Sequence, residues 1–273
     1  MQPLKYPGGK HYLGKTIYAL MPPHKFRLIP FAGGLGEFWG WPCEGVSECV
    51  NDLDSLLWNF YSVLKDPALF EAFHRVVQMT PFGRQFWEEA GATCRRFDAK
   101  GGPSVEAAAA YLVLVRQSMM GLQKTFAPLS INRVRREMNE QASAWLSAVE
   151  GLPEAHARIS RVAVENLPAV QLLRKYDRPG VVVYADPPYY PGTREMGLYR
   201  HEMTEQDHEE LLDCLLEFKG KVILSGYSCP RYLERLKDWS VRTVELPNAM
   251  QKSGQKDGRV EHFWANYPLP EDV

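Results

Sequence analysis

Two short apolar runs constrain the fold of this chain more than any other sequence feature. The runs are VVVYAD (181–186) and KVILSGY (221–227), and both are predicted to form buried strands. Strands buried on both faces are typical of parallel sheets that are covered by helices on both sides. A helix is predicted between them over 205–218, opened by the capping pair Thr204 and Asp207. This order predicts an α/β fold with a doubly wound, mostly parallel sheet.

The beginning of the chain shows the same order of elements. RLIPF (27–31) and GVSECVND (45–52) favour strands, and a glycine cluster followed by a helix is predicted between them. SLLWNFYSVL (55–64) has helical spacing, with Asp54 placed to cap it. Towards the end of the chain, the predicted elements are strands at 161–166, 239–246 and 259–267 and helices at 168–176 and 230–237.

The region between these two α/β segments is predominantly helical. Helices are predicted at 68–78, 85–98, 105–120 and 138–149, with a loop at 123–136. The chain has 273 residues, which is about 1.8 times a typical domain of roughly 150 residues. One α/β domain formed by 1–64 and 162–273, interrupted by a helical insert at 65–161, accounts for this length and order.

Composition limits the possible partners and compartments. There are 32 Lys and Arg against 33 Asp and Glu, so bulk electrostatic attraction to nucleic acid is excluded, although a local basic patch is not. Five cysteines without a CxxC pair favour reduced thiols. The N-terminus has no apolar signal segment, and no apolar run approaches the ~18 residues of a membrane span. We therefore expect a soluble cytoplasmic protein.

Polar residues stand where the predicted strands end, which is the edge where doubly wound sheets bind ligands. Gly33 and Gly34 follow the first strand, and Asp52 ends the second, 21 residues after Phe31. An acid in this position binds ribose hydroxyls in nucleoside-binding folds. A structural glycine turn with a solvated aspartate is an equally good interpretation. No phosphate-binding lysine follows the glycines, which disfavours an NTPase.

The turn Asp186-Pro187-Pro188-Tyr189 follows the run at 181–185 directly. Neither proline can donate a hydrogen bond to a sheet, and Pro187 also restricts the backbone of Asp186. Such a turn is a costly way merely to close a strand, although a rigid closing loop is the alternative. A stiff arm that presents a carboxylate, a backbone carbonyl and an aromatic ring suits a planar base that carries an amine.

In this order, the motifs of the chain resemble the Dam-like class of adenine-amine DNA methyltransferases, which use S-adenosylmethionine. The motifs are KYPGGK (5–10), PFAGG (30–34), NDLD (51–54) and ENLPAVQLLRKYDRPGVVVYADPPYY (165–190). The tail, with HEMTEQDHEELL (201–212), KVILSGY and RVEHFWAN (259–266), is similar to a phage- and prophage-associated branch. The resemblance implies a Rossmann-like methyltransferase domain and a DNA target-recognition insert at 65–161.

The resemblance also implies the residues that hold S-adenosylmethionine. Tyr6 and Lys10 contact its methionine end, Phe31 and Gly33 form the wall of its pocket, and Asp52 binds its ribose hydroxyls. Two positions depart from the family pattern. An acid usually precedes the Pro-Phe pair where this chain has Ile29, and a small residue is usual where it has Leu35.

The catalytic residues that the resemblance implies are Asp186, Pro187 and Tyr189. The Asp186 carboxylate, which also borders the cofactor, and the Pro187 carbonyl accept hydrogen bonds from the adenine amine, and Tyr189 stacks on the extruded base. These acceptors favour a tetrahedral nitrogen whose lone pair points at the methyl donor, so transfer needs no metal and no covalent intermediate. A base inside a duplex cannot reach such a site and must be flipped out.

The predicted DNA reader is a basic segment, 117–136, which contains four basic residues and no acid. Its candidate DNA-binding residues are Lys124, Asn132, Arg133, Arg135 and Arg136. A solvated basic loop is the alternative interpretation. The loop at 251–259 is a weaker candidate for contact with the DNA backbone.

Other features of the sequence favour structural roles. His201 and His208 are predicted to lie in a surface approach to a helix, and no metal motif is present. Met119 and Met120 are predicted to belong to the core. We expect a monomer that acts on double-stranded DNA in a bacterial or phage-infected cell, alone or within a restriction–modification system. The alternatives are a methyltransferase of RNA or of a protein amide, and a degenerate DNA-binding relative without activity.

Overall fold

The computed structural model describes residues 2–42, 45–193, 200–245 and 260–270. The strands are β1 Phe26–Ile29, β2 Ser47–Asn51, β3 Val134–Arg135, β4 Met138–Asn139, β5 Ala163–Glu165, β6 Val181–Ala185, β7 Lys221–Gly226, β8 Ser240–Glu245 and β9 Val260–Ala265. The helices are α1 Gly14–Leu20, α2 Ser55–Lys65, α3 Pro67–Gln78, α4 Arg84–Arg96, α5 Val105–Arg116, α6 Glu140–Glu150, α7 Leu152–Ile159, α8 Ala169–Lys175, α9 Glu205–Leu216 and α10 Pro230–Arg235.

Seven of these strands form one sheet in the order β5-β2-β1-β6-β7-β9-β8, and β3 and β4 form a separate hairpin. Strand β1 is parallel to β2 and β6, and β6 is parallel to β7. Only β9 breaks the pattern among the pairings described, since it is antiparallel to both β7 and β8. The sequence prediction of a doubly wound, mostly parallel α/β fold is therefore confirmed.

The chain divides into two compact units by the contacts it makes. The helical unit comprises Met1–Lys15, Ala32–Pro42 and Asp52–Asn166, and the sheet unit comprises Thr16–Phe31, Cys43–Asn51 and Leu167–Val273. The predicted assignment of 1–64 and 162–273 to catalysis and of 65–161 to target recognition concerns function, and it stays a prediction at this stage.

The core of the sheet unit explains why the two apolar runs form strands. Every residue of β6 is buried, and five of the six in β7 are buried. They pack among α8 and α9, whose leucines belong to the same cluster. Helix α9 begins at the predicted capping box, in which Thr204 and Asp207 exchange hydrogen bonds. In the helical unit, α5 is apolar around most of its circumference, and eight of its residues are buried.

Several local predictions need correction. The glycine cluster is followed by a single 3₁₀ turn, Phe38–Gly40, and not by a full helix. The helix predicted to reach residue 120 ends at Arg116, because Ser118 already takes an extended backbone, φ −86° and ψ 151°. Met119 and Met120 are 45% and 49% exposed, so they do not belong to the core. Helices α1 and α7 and the β3–β4 hairpin are additions to the predicted elements. The loop at 251–259 lies outside the described residues.

Candidate active-site residues

In the helical unit, the glycine loop is shaped by close packing against the N-terminal motif. A Cβ atom at Gly34 would lie 2.5 Å from Cβ of Tyr6, so only glycine fits there. Gly33 adopts φ +47°, and a Cβ there would lie 3.1 Å from the Tyr6 ring. Arg116, at the end of α5, donates hydrogen bonds to the carbonyls of Gln2 and Pro3 and so fixes this segment. Tyr6 of the KYPGGK motif therefore meets Gly33 and Gly34 of the PFAGG motif within this unit.

Asp52 is the acid that follows β2, and two backbone amides orient its carboxylate. Gly33 N donates to Oδ2 at 2.8 Å, and Asp54 N donates to Oδ1 at 2.9 Å. Burial raises the pKa of Asp52 to about 6, against the opposing effect of these hydrogen bonds. Because a carboxylate has about four acceptor sites, it can still accept hydrogen bonds from a ligand. A ribose, with two neighbouring hydroxyl donors, fits this donor-poor and acceptor-rich group.

The other predicted cofactor residues differ in their surroundings. Lys10 is almost completely buried, at 1% exposure, and Tyr6 is half-buried. Phe31 is also half-buried and packs against the core of the sheet unit. Leu35, one of the two departures from the family pattern, is buried and takes a left-handed backbone angle, φ 49°. The other, Ile29, is buried at the end of β1.

In the sheet unit, Asp186 follows β6 and is held by the neighbouring strand. Ser225 Oγ on β7 donates a hydrogen bond to Asp186 Oδ1 at 3.1 Å. The Tyr184 hydroxyl lies 3.2 Å from the same Ser225 oxygen, within the buried part of the sheet. The register explains this arrangement, because Ala185 pairs with Leu224 and the next pair along is Asp186 with Ser225. The carboxylate is thereby fixed in orientation at the carboxyl ends of two parallel strands.

Tyr189 is constrained by one aromatic contact and by one hydrogen bond to an acid in the same unit. Its ring stacks on Tyr227, with centroids 4.2 Å apart and planes inclined by 9°. Its hydroxyl donates to Glu261 Oε2 on β9 at 3.3 Å. Pro187, in the same turn, is buried. The turn after β6 therefore presents a carboxylate, a proline carbonyl and a ring on a rigid frame.

His208 lies beneath this turn and not on the surface, which corrects the sequence prediction. The residue is fully buried, and its Nδ1 lies 2.8 Å from the Tyr232 hydroxyl. The ring also packs against Tyr190, with centroids 5.1 Å apart. Burial lowers the pKa of His208 to about 4, so the imidazole is neutral at pH 7. The burial of His208 could have been predicted from the sequence, because the residue lies one turn into an amphipathic helix and on its buried face.

The predicted DNA-binding residues lie together on and before the β3–β4 hairpin in the helical unit. Asn132, Arg133, Arg135 and Arg136 are exposed, as is Lys124 earlier in the segment. Arg136 forms a two-pronged ion pair with Glu150, with N···O distances of 2.7 and 2.9 Å. Arg133 lies 3.7 Å from Glu140. Arg135 is exposed, and no ion pair is found for it among the described residues.

A mostly parallel sheet, an acid after β2 and an Asp-Pro-Pro-Tyr turn after β6 are the features expected of an α/β methyltransferase that acts on an amine. The chain matches the family described as D12 class N6 adenine-specific DNA methyltransferase over residues 6–250, and it belongs to that family. It is therefore an S-adenosylmethionine-dependent enzyme that methylates adenine in DNA, as the sequence predicted. A comparison with curated proteins returned no match.

Among the described residues, no helix is both long and apolar enough to cross a membrane. Within the same ranges, no three histidine, cysteine, aspartate or glutamate side chains group as metal ligands.

Proposed function

We propose that this methyltransferase acts on a flipped-out adenine, with Asp186 and the Pro187 carbonyl as acceptors for the two amine hydrogens and Tyr189 as the stacking surface. The observation that carries this assignment is the hydrogen bond from Ser225 to Asp186, which fixes the carboxylate after β6. An acceptor that is already oriented needs no rearrangement when the reaction begins.

The chemistry follows from the nature of the amine. The lone pair of the adenine nitrogen is delocalised into the ring, which makes it a poor nucleophile. Hydrogen bonds from both N–H groups to fixed acceptors favour a tetrahedral nitrogen and localise the lone pair. S-adenosylmethionine supplies an electrophilic methyl group on a positively charged sulfur when it is bound. Residues of this chain contribute positioning and electrostatic stabilisation to the displacement.

The residues proposed to hold the cofactor are Asp52, at the ribose hydroxyls, with Tyr6, Lys10, Phe31 and Gly33 around the methionine end and the pocket wall. Support for Asp52 comes from its two backbone hydrogen bonds, which orient the carboxylate and use only one acceptor site on each oxygen. Support for Tyr6 comes from its packing on the glycine loop.

Flipping the base supplies access at an energetic cost. Extrusion of a paired base costs a few kcal/mol, and stacking on an aromatic side chain recovers about 1–3 kcal/mol. If the aromatic ring is already held in place before the base binds, less side-chain entropy is lost on binding, and more of the stacking free energy remains.

We further propose that residues 65–161 form the target-recognition part, with Lys124, Asn132, Arg133, Arg135 and Arg136 facing double-stranded DNA. The hairpin supports this proposal, since a two-stranded ribbon fits the width of the major groove. The assignment to a phage- and prophage-associated branch rests on the tail motifs at 201–212 and 259–266 alone.

Arg135 provides the test of this surface. We expect Arg135→Ala to weaken binding to duplex DNA uniformly across sequences and to reduce the slope of log K against log salt by about 1, because one phosphate contact is lost. The measurement is DNA affinity by fluorescence anisotropy at several salt concentrations. Lys100→Ala, which removes an exposed charge elsewhere in the same unit, is the matched control. An unchanged slope for Arg135→Ala would contradict a contact between the hairpin and DNA and would favour an ordinary surface loop.

The reaction itself is tested with methyl-labelled S-adenosylmethionine and long duplex DNA free of methyladenine. We expect the label to appear in DNA as N6-methyladenine after digestion to nucleosides. Label found only in RNA or protein would contradict the proposal. An absence of any transfer would favour the degenerate relative that binds DNA without modifying it.

A further inference from the structure

Glu261 is an acid in a row of apolar side chains. It lies on β9, on the same face as Phe263 and Ala265, because side chains two residues apart point to the same side of a strand. All three residues are fully buried. A carboxylate in such a row is costly unless hydrogen bonds compensate for the lost water.

The register of the sheet brings this acid to the catalytic turn. Ser225 pairs with Phe263 and Gly226 with His262, so the next position along places Glu261 opposite Tyr227. Asp186 lies beside Ser225, whose partner on β9 is Phe263, so Glu261 stands two residues beyond the level of the proposed catalytic carboxylate and on the same face of the sheet. Its Oε2 accepts the hydroxyl hydrogen of Tyr189 at 3.3 Å. This distance is longer than is usual for O–H···O.

Tyr189 is thus held at three points. The backbone turn fixes its Cβ, Tyr227 covers one face of the ring, and Glu261 holds the hydroxyl. The separation of 4.2 Å between the two rings is that of direct contact, so no base fits between them in this arrangement. The hydroxyl contact removes the remaining freedom of the ring to tilt away from a base on its other face.

We propose that Glu261 is a positioning residue for methyl transfer: its buried carboxylate accepts the Tyr189 hydroxyl and holds the ring at the angle on which the target adenine stacks. This inference rests on the proposed stacking role of Tyr189. Glu261 does not touch the reacting atoms, and its effect on the rate passes through the orientation of the ring.

The test compares Glu261→Ala, Glu261→Gln and Tyr189→Phe by steady-state transfer of labelled methyl groups to long duplex DNA free of methyladenine. We expect Glu261→Ala to lower kcat about tenfold, because a rate change of this size corresponds to the upper end of the net free energy that one hydrogen bond contributes. The KM for S-adenosylmethionine should change little. Glu261→Gln keeps an acceptor oxygen of the same reach, and we expect it to restore kcat to within about threefold of the wild type.

A double substitution keeps the test decisive if Glu261→Ala fails to fold. Tyr189→Phe removes the donor, so we expect it to lower kcat, and Glu261→Gln added to it should cause no further loss. Glu245→Gln is the matched control, because it removes an exposed carboxylate from the neighbouring strand β8.

The outcomes separate this inference from the proposed function. If the wild type methylates adenine in DNA while the Glu261 substitutions leave kcat unchanged, the inference fails and the proposed function stands. If Glu261→Gln is as impaired as Glu261→Ala, an acceptor role is also contradicted. If the wild type transfers no methyl group to DNA, the proposed function fails and the inference falls with it.

Discussion

Replacement of Asp186 by alanine is expected to lower the rate of methyl transfer about 10²–10³-fold, which is the effect of removing one preorganised hydrogen-bonding group from a catalytic site. The affinity for S-adenosylmethionine should change far less, because the proposed partner of this carboxylate is the amine of the base. Ser225 supplies the physical reason for so large an effect. Its hydrogen bond orients the acceptor before the substrate arrives, so the alanine variant loses a group that was already in place.

Two companion variants make this result interpretable. Asp186→Asn keeps the shape and one acceptor oxygen, so we expect a loss smaller than that of alanine. Asp238→Ala removes an exposed aspartate from the same unit and should behave like the wild type. The measurements are single-turnover transfer to DNA and calorimetric titration with S-adenosylmethionine. Wild-type turnover in Asp186→Ala would contradict the proposed mechanism. Loss of cofactor binding in this variant would instead indicate that the Asp186 carboxylate binds S-adenosylmethionine.

Much of the fold could be predicted because its signals are local. The runs at 181–185 and 221–226 are too apolar to lie anywhere but between two covered faces, and the structure places them at the centre of the sheet. The cap of α9 was predicted for the same reason, since the Thr204 and Asp207 side chains act only on the backbone beside them. The helix expected after the glycine cluster does not form, because Trp41 takes an extended backbone ahead of Pro42 and ends the turn after Gly40.

The partners of the Asp186–Tyr189 turn could not be predicted, because they depend on the register between strands that are distant in sequence. Ser225 reaches Asp186 only because β7 is parallel to β6 in one particular register. Glu261 reaches Tyr189 only because β9 runs antiparallel to β7. A one-residue slip would turn either side chain to the opposite face. The pattern of β9 nevertheless indicated that Glu261 is unusual, because this acid shares one face of the strand with the apolar residue Phe263.

The basic segment shows a second limit of sequence reasoning. Four positive charges without an acid between 117 and 136 predicted a DNA-facing surface, and each lies exposed. The acids that moderate this charge come from outside the segment, since Glu150 on α6 pairs with Arg136 and Glu140 lies near Arg133. Among the three arginines, Arg135 is therefore the most informative one to substitute.

Substitution of Asp52 is expected to have the largest effect on the cofactor. Asp52→Asn should weaken S-adenosylmethionine binding about 10–100-fold, because hydrogen bonds to a charged acceptor are worth about 1.5–3 kcal/mol. The amide retains one oxygen, so it can still accept the Gly33 N–H, and the glycine loop should keep its shape. Glu88→Gln, which neutralises an exposed acid on α4, is the control for the loss of charge alone.

The pKa of Asp52 adds a signature that a merely structural role would not produce. Burial raises this pKa to about 6, so the carboxylate is ionised at pH 7 and becomes progressively protonated as the pH falls through 6. The protonated form is a weaker acceptor for ribose hydroxyls, so wild-type affinity should be full above pH 7 and should decline between pH 7 and 5. Asp52→Asn cannot titrate and should show a flat profile over this range. Parallel declines in the wild type and the variant, measured by calorimetric titration at each pH, would show that another group controls binding and would remove Asp52 from the ribose site.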